Sequence, residues 1–271
     1  AQTLHLVDLG SNEVQALAFD GLPGITDDPL SDLRQAAGKD ALDGNRPVRV
    51  LGMRFSDDGQ RAAVMLRSVD NKDRWIAEVD FANARLLPLH RLSDEAWINW
   101  NFNGFGWLPD NRTLWFQSEQ SGYGHIYTLQ RGGRAQALTS GRWEAAEPVL
   151  APDGQRFYFL CNRAWPGKWE VCTRDIGRGE VREVTDAGHV DGFALSPDGS
   201  QLLLRVSSSH TPPQMAVAAV DGGGLRQLTD TRTGQYRQHQ WLEPQFVQVP
   251  SSHGAGPIWA KMYLPRDMDP D

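Results

Sequence analysis

The chain has 271 residues, 40% hydrophobic and 23% charged, enough for one large or two ordinary domains and unlike a disordered composition. Lys+Arg 27 against Asp+Glu 34 leave a net charge of −7 with no basic block, which argues against nucleic acid as a partner. No apolar run approaches the ~18 residues of a membrane helix, and two cysteines exclude a disulfide-dense scaffold or a four-cysteine zinc site.

The N-terminus has no signal-peptide layout and opens inside what reads as a strand. Residues 1–19 read as the end of a preceding blade, with Glu13 to Leu17 as its outermost strand. Residues 20–47 read as an inter-blade insertion. Its short helix has Asp28 as cap, Pro29 at the first helical position and Gly38 at the stop. For such an insertion a plain surface excursion is the commoner outcome.

A repeat of about forty-five residues follows. Four turns, Ser56-Asp57-Asp58-Gly59, Leu108-Pro109-Asp110-Asn111, Ala151-Pro152-Asp153-Gly154 and Ser196-Pro197-Asp198-Gly199, recur at steps of 52, 43 and 45. Proline presets the first corner; Asp followed by Gly or Asn supplies the side-chain hydrogen bond and the left-handed position. A second marker, Leu92-Ser93, Leu138-Thr139, Val184-Thr185 and Leu228-Thr229, recurs at steps of 46, 46 and 44. Each unit therefore reads as strand, turn, strand, loop, strand, short turn, strand. Four antiparallel strands in this length make a propeller blade. With Gly 27, Pro 16 and Trp 10, the chain is expected to be all-β: four complete four-stranded blades, at roughly 48–93, 97–139, 143–185 and 190–229, plus part of a fifth.

Residues 48–240 thus hold the blades and a polar, linker-like segment from Asp230 to Gln240. Beyond Trp241 the repeat breaks. Phe246 to Pro250 and Ile258 to Pro265 alternate as two strands of a separate hairpin. Val247 and Val249 fall on one apolar face with Ile258, Ala260 and Met262.

These features resemble the propeller region of the prolyl oligopeptidase family of serine peptidases, on its bacterial dipeptidyl peptidase IV-like branch. The most specific stretch runs from Trp115 to Tyr127 and contains Ser118-Glu119-Gln120-Ser121-Gly122-Tyr123-Gly124-His125. Leu138-Thr139-Ser140-Gly141-Arg142-Trp143-Glu144 is similar to a family junction, and the 246–265 hairpin is similar to the one leading into the family's α/β-hydrolase domain. The resemblance implies that 241–271 begins a truncated hydrolase domain. It also implies a hydrolase domain as partner and a propeller that caps the active site and admits short peptides, often with proline or alanine near the cleaved bond. The implied compartment is periplasmic or secreted. The competing reading is a stand-alone TolB-like propeller acting as an interaction module.

No Gly-x-Ser-x-Gly nucleophile elbow occurs in the sequence; Gly254-Ala255-Gly256 has no serine between its glycines. No catalytic or substrate-binding residue, metal ligand or cofactor is assigned. The acidic pairs Asp57-Asp58 and Asp94-Glu95 lack the family's context. His125 reads as a structural strand residue rather than a substrate contact. Cys161 and Cys172 flank one hairpin and can bond across it, with two buried thiols as the favoured alternative. Asn111-Arg112-Thr113 matches a glycosylation acceptor that a turn explains equally well. Trp97, Trp100 and Trp107 form either an aromatic face or inter-sheet filling. The loop from Asn162 to Trp169 is the best candidate for a partner surface.

Overall fold

The structure is a computed structural model and describes residues 2–254 and 256–266. Two compact units divide between Leu138 and Thr139.

In the first unit, β1 (Leu4–Val7) pairs antiparallel with β2 (Val14–Leu17). A six-residue helix, α1 (Ser31–Ala36), lies in the insertion. β3 (Val48–Phe55), β4 (Ala62–Ser68), β5 (Asp73–Asp80) and β6 (Arg85–Ser93) form one antiparallel meander. β7 (Phe105–Trp107), β8 (Thr113–Ser118), β9 (His125–Gln130) and β10 (Gln136–Ala137) form another. The second blade starts its ladder at Phe105 rather than near 97. The residues before it form a loop that buries Ile98 and Phe102.

The second unit repeats the pattern. β11 (Ala145–Leu150), β12 (Arg156–Cys161), β13 (Glu170–Asp175) and β14 (Arg182–Glu183) make one sheet. β15 (Val190–Leu195), β16 (Gln201–Val206), β17 (Gln214–Ala219) and β18 (Arg226–Gln227) make the next. α2 (Gly234–Gln238) follows, then the hairpin β19 (Gln245–Val249) and β20 (Ile258–Met262).

The turns account for the period. Gly59, Asn111, Gly154 and Gly199 all have φ between 55° and 72°, the left-handed region that Gly and Asn tolerate. Each donates its backbone N–H three residues back: to Ser56, Leu108, Ala151 and Ser196 at 2.8–3.0 Å. Asn111 is therefore a turn residue, and its Oδ1 accepts the Asp57 N–H at 2.8 Å.

The insertion is more than a surface excursion. Leu22 and Ile25 are buried with Val48, Val64, Leu66 and Trp75 of the first blade. Trp75 Nε1 donates to the Pro23 carbonyl at 2.9 Å. Arg46 enters the same layer. Its guanidinium donates to Asp73 at 2.6 Å and to the Gly24 carbonyl at 2.7 Å, and lies 5.4 Å over the Trp75 ring. α1 begins at Ser31, later than the sequence suggests, because Asp28 accepts from Leu30 N, Leu42 N and Arg34 Nε instead of capping the first turn. Gly38, at φ 61°, ends it as expected.

α2 falls within the segment read as a plain linker. Thr233 caps it by accepting the Tyr236 N–H at 3.1 Å, and Tyr236 Oη donates to the His210 carbonyl at 2.9 Å. Asp230 binds Arg232 and Arg237 at 2.8 and 2.9 Å. These local bonds supply the order that five mostly polar residues cannot obtain from burial.

Candidate functional site

The segment from Ser118 to His125 is buried at its two ends and exposed at Gln120, Ser121 and Gly122. His125 opens β9 opposite Ser118 and is 1% exposed. A Cβ on Gly124 would lie 2.4 Å from the Phe102 ring, so glycine lets that ring close over the segment. Tyr127 Oη donates to Ser121 Oγ at 2.9 Å. Gln120 Oε1 lies 2.7 Å from His90 Nε2, while the His90 ring packs 4.4 Å from Phe116. Burial drives the His90 pKa down to about 4, with Arg74 adding to the effect against the Gln120 bond.

Arg74 is fully buried and donates to the Phe102 carbonyl at 3.2 Å and to Asn103 Oδ1. Burial lowers its pKa to about 10, opposed by the charge of Glu119. Burial in turn raises the Glu119 carboxyl, which accepts from Asn99 Nδ2 at 3.2 Å. The motif that stands out in sequence therefore holds two blades together.

His125 also belongs to a series. Asp73, His125, Glu170 and Gln214 are each the first residue of the third strand of a blade, and each is at most 2% exposed. In the second unit this residue meets the second sequence marker. Thr185 Oγ1 donates to Glu170 Oε2 at 2.6 Å, and Thr229 Oγ1 donates to Gln214 Oε1 at 2.9 Å. Chemically different residues, His125 among them, fill one structural position.

The acidic pairs are also turn residues. Asp58 accepts from Ser56 Oγ at 2.6 Å and from Gln60 N at 3.0 Å. Asp94 accepts from the backbone of Ala96 and Trp97 at 2.7 and 2.9 Å. The three tryptophans do not form one face. Trp97 is 61% exposed, Trp100 donates to Asn71, and Trp107 lies under Arg61 and donates to the Arg54 carbonyl.

The candidate partner surface is the loop from Asn162 to Trp169 together with the hairpin. Cys161 and Cys172 are disulfide-bonded, with Cα atoms 5.8 Å apart, which corrects the favoured reading of two free thiols. In the β12–β13 ladder Cys161 faces Glu170 and Cys172 faces Phe159, so the bond runs diagonally across one face of the hairpin. Glu183 lies near both sulfurs, but bonded sulfurs offer no thiolate to a metal. Arg163 lies 5.7 Å over Trp143 and donates to the Val181 carbonyl at 2.9 Å. A Cβ on Gly167 would meet the Trp165 ring at 1.9 Å. That glycine lets Trp165 fold over the loop and present its ring to Phe246 at 4.3 Å and Trp259 at 5.6 Å.

The hairpin forms the separate two-stranded sheet expected of it, in the register Val247↔Ala260 and Val249↔Ile258. It is seated rather than free. Phe246 and Trp259 meet Trp165 on one face. On the other, Val249, Ile258 and Met262 remain 47%, 56% and 36% exposed. A two-stranded sheet is marginal alone, and such an apolar face marks a place where another surface belongs.

Consecutive four-stranded antiparallel meanders, each opened by the same left-handed turn, define a β-propeller. The chain belongs to the TolB β-propeller domain family, PD40, whose model matches residues 34–244. It is also similar in fold to the crystal structure of a putative dipeptidyl aminopeptidase IV from Bacteroides ovatus. That likeness has 13% identity, a TM-score of 0.69 and coverage of 99% of this chain and 38% of that one. For the dipeptidyl peptidase 4 of Porphyromonas gingivalis the values are 18%, 0.67, 99% and 35%. The chain thus spans little more than a third of the length of these proteins.

Proposed function

We propose that this chain is the non-catalytic propeller portion of a dipeptidyl peptidase IV-like serine exopeptidase, restricting access of short peptides to an α/β-hydrolase domain of the parent protein. The observation that carries this reading is the hairpin. Its Phe246 and Trp259 dock on Trp165, while its opposite face presents Val249, Ile258 and Met262 to whatever packs there. The occupant is the parent's hydrolase domain, in keeping with the sequence resemblance of this hairpin and with the fold likeness over 99% of the chain. A disulfide between Cys161 and Cys172 favours an oxidising compartment, periplasmic or secreted. Among the described residues no helix is long and apolar enough to cross a membrane.

The test is fluorophosphonate labelling of the parent protein and of this chain alone, alongside hydrolysis of a chromogenic dipeptide. The parent is expected to label once and turn over substrate, and the isolated chain to do neither. Stoichiometric labelling of the chain, or a parent gene without a Gly-x-Ser-x-Gly elbow, overturns the proposal. The family match over residues 34–244 favours one second reading, a propeller that acts as an interaction module without chemistry. It predicts an unlabelled parent.

A further inference from the structure

Three arginines of the first blade stand in one cross-strand row: Arg49 of β3 faces Arg67 of β4, and Arg67 faces Arg74 of β5. Like charges directly opposite one another destabilise a sheet. A protein with 34 acidic side chains does not lack the means to neutralise such a row. Arg74 has Glu119 nearby, but Arg49 and Arg67 have no ion pair among the described residues.

The row borders a cleft. β3 carries a register shift between Val50 and Gly52, which brings Arg54 onto the same face as Arg49. Arg49, Arg54 and Arg67 then line an open cleft of about 530 Å³ with Trp100, Asn103 and Phe105, and among the described residues no carboxylate lines it. Two of the guanidinium groups lie over aromatic rings. Arg67 lies 4.8 Å over the Trp100 ring, and Arg54 lies 5.4 Å over Phe105. Asn71 Oδ1 accepts from both Trp100 Nε1, at 2.6 Å, and Arg67, at 3.5 Å, which links the two side chains. Arg67 Nε is buried with no hydrogen-bond partner among the described residues.

We propose that this cleft is a binding site for a carboxylate, the free C-terminus or an acidic side chain of a short peptide. The planar guanidinium fork matches a carboxylate in two parallel hydrogen bonds, and a neighbouring aromatic ring limits the fork's freedom before the ligand arrives. The aromatic faces and the Asn103 amide suit the remainder of a peptide. The cleft offers no lysine and no glycine-rich backbone cradle of the kind that receives a phosphate. A bound carboxylate relieves the repulsion within the row.

Calorimetric titration of the full 271-residue chain tests this with N-acetyl-Ala-Ala-Phe as the free acid, its C-terminal amide, N-acetyl-Ala-Glu amide and inorganic phosphate. The free acid is expected to bind at least tenfold more tightly than the amide. Arg49→Gln and Arg67→Gln each weaken it at least tenfold, while Arg112→Gln on an exposed turn leaves it unchanged. Binding of the Glu peptide in place of the free C-terminus keeps the carboxylate site and assigns it to the side chain. Equal binding of acid and amide, no binding at all, tighter binding of phosphate, or wild-type affinity in both arginine variants overturns the proposal. Arg49 is exposed, so its variant remains informative if Arg67→Gln fails to fold. The assay needs no hydrolase domain, so its outcome is independent of the peptidase reading.

Discussion

Thr185 Oγ1 donates a 2.6 Å hydrogen bond to Glu170 Oε2 between two residues that are 5% and 1% exposed. The same threonine oxygen accepts the Val171 N–H at 2.9 Å, and Glu170 also receives the backbone N–H groups of Ala187 and Gly188. This clamp ties the start of a blade's third strand to the end of its fourth, and Gln214 with Thr229 repeats it. Thr185→Val keeps the volume but removes both bonds, leaving a buried carboxylate under-satisfied at a cost of about 2 kcal/mol. The urea midpoint of the second unit should fall accordingly, with Thr185→Ser close to wild type. An unchanged midpoint in Thr185→Val would show the clamp to be energetically idle.

Two groups of the first unit separate in pH. His90 has its pKa lowered by burial to about 4, against an ordinary value of 6.5. The unfolded chain therefore takes up the proton first. The His90 contribution is complete above pH 6.5 and is lost as pH falls from there toward 4. Asp73 acts lower. Burial pushes its carboxyl up, but Arg91 and Arg46 outweigh burial and hold it below the usual range. Its contribution is present above the unfolded value and is lost as pH falls through the lowered folded one. His90→Gln should flatten thermal stability between pH 6.5 and 4 and leave the steeper loss below pH 4 intact. Asp73→Asn should cost about 3 kcal/mol at pH 7, since Arg46 loses its 2.6 Å partner, and should blunt the acid limb. Melting curves of both variants across this range decide the assignment.

The cross-hairpin disulfide closes a loop with a sequence separation of 11, for which loop-closure entropy gives about 3 kcal/mol. The β12–β13 ladder pairs six residues on each strand and so has backbone hydrogen bonds of its own. The double variant Cys161→Ala, Cys172→Ala should therefore keep the β-sheet circular dichroism spectrum and melt several degrees lower. A spectrum lacking sheet signal would mean that the bond defines the register rather than supporting it.

Much of this architecture is legible in the residues. Ser56, Leu108, Ala151 and Ser196 each start a turn that the structure closes in the same way, because Gly or Asn at the left-handed position has few alternatives. The hydroxyl marker is legible as a period, but its meaning is not. Its partners in the second unit are Glu170 and Gln214, and the corresponding positions in the first are Asp73 and His125, so no single residue type recurs to reveal the clamp. Leu22, Ile25 and Arg46 are hidden for a different reason. Isolated residues in an irregular insertion carry no periodicity, and only their burial shows that the insertion covers the first blade. Arg49 and Arg67 are separated by a turn and by the β3 register shift, so their opposition appears only once the ladder is drawn.

Seating of the hairpin can be examined by limited proteolysis. Phe246 and Trp259 meet Trp165, and among the described residues β19 and β20 pair with no other strand. Trp165→Ala should expose the 245–265 segment to chymotrypsin and raise its cleavage rate about tenfold, as expected when local opening becomes ~1.4 kcal/mol easier. The four-stranded sheets should remain resistant.

The arginine row makes one prediction about the ligand-free chain, in a direction opposite to that of most substitutions. Removing a side chain from a folded sheet usually lowers stability. Arg49, however, is exposed, has no ion pair among the described residues and faces Arg67 directly. Relieving one like-charge cross-strand contact is worth a few tenths of a kcal/mol, up to about 1. Arg49→Gln should therefore melt about 1–2 °C higher than wild type at low ionic strength. Added salt screens exposed charges, so the difference should shrink at 0.5 M NaCl. A salt-independent change, or a lower melting temperature, would mean that Arg49 serves the sheet through packing of its stem and that the row stores no repulsion for a ligand to relieve.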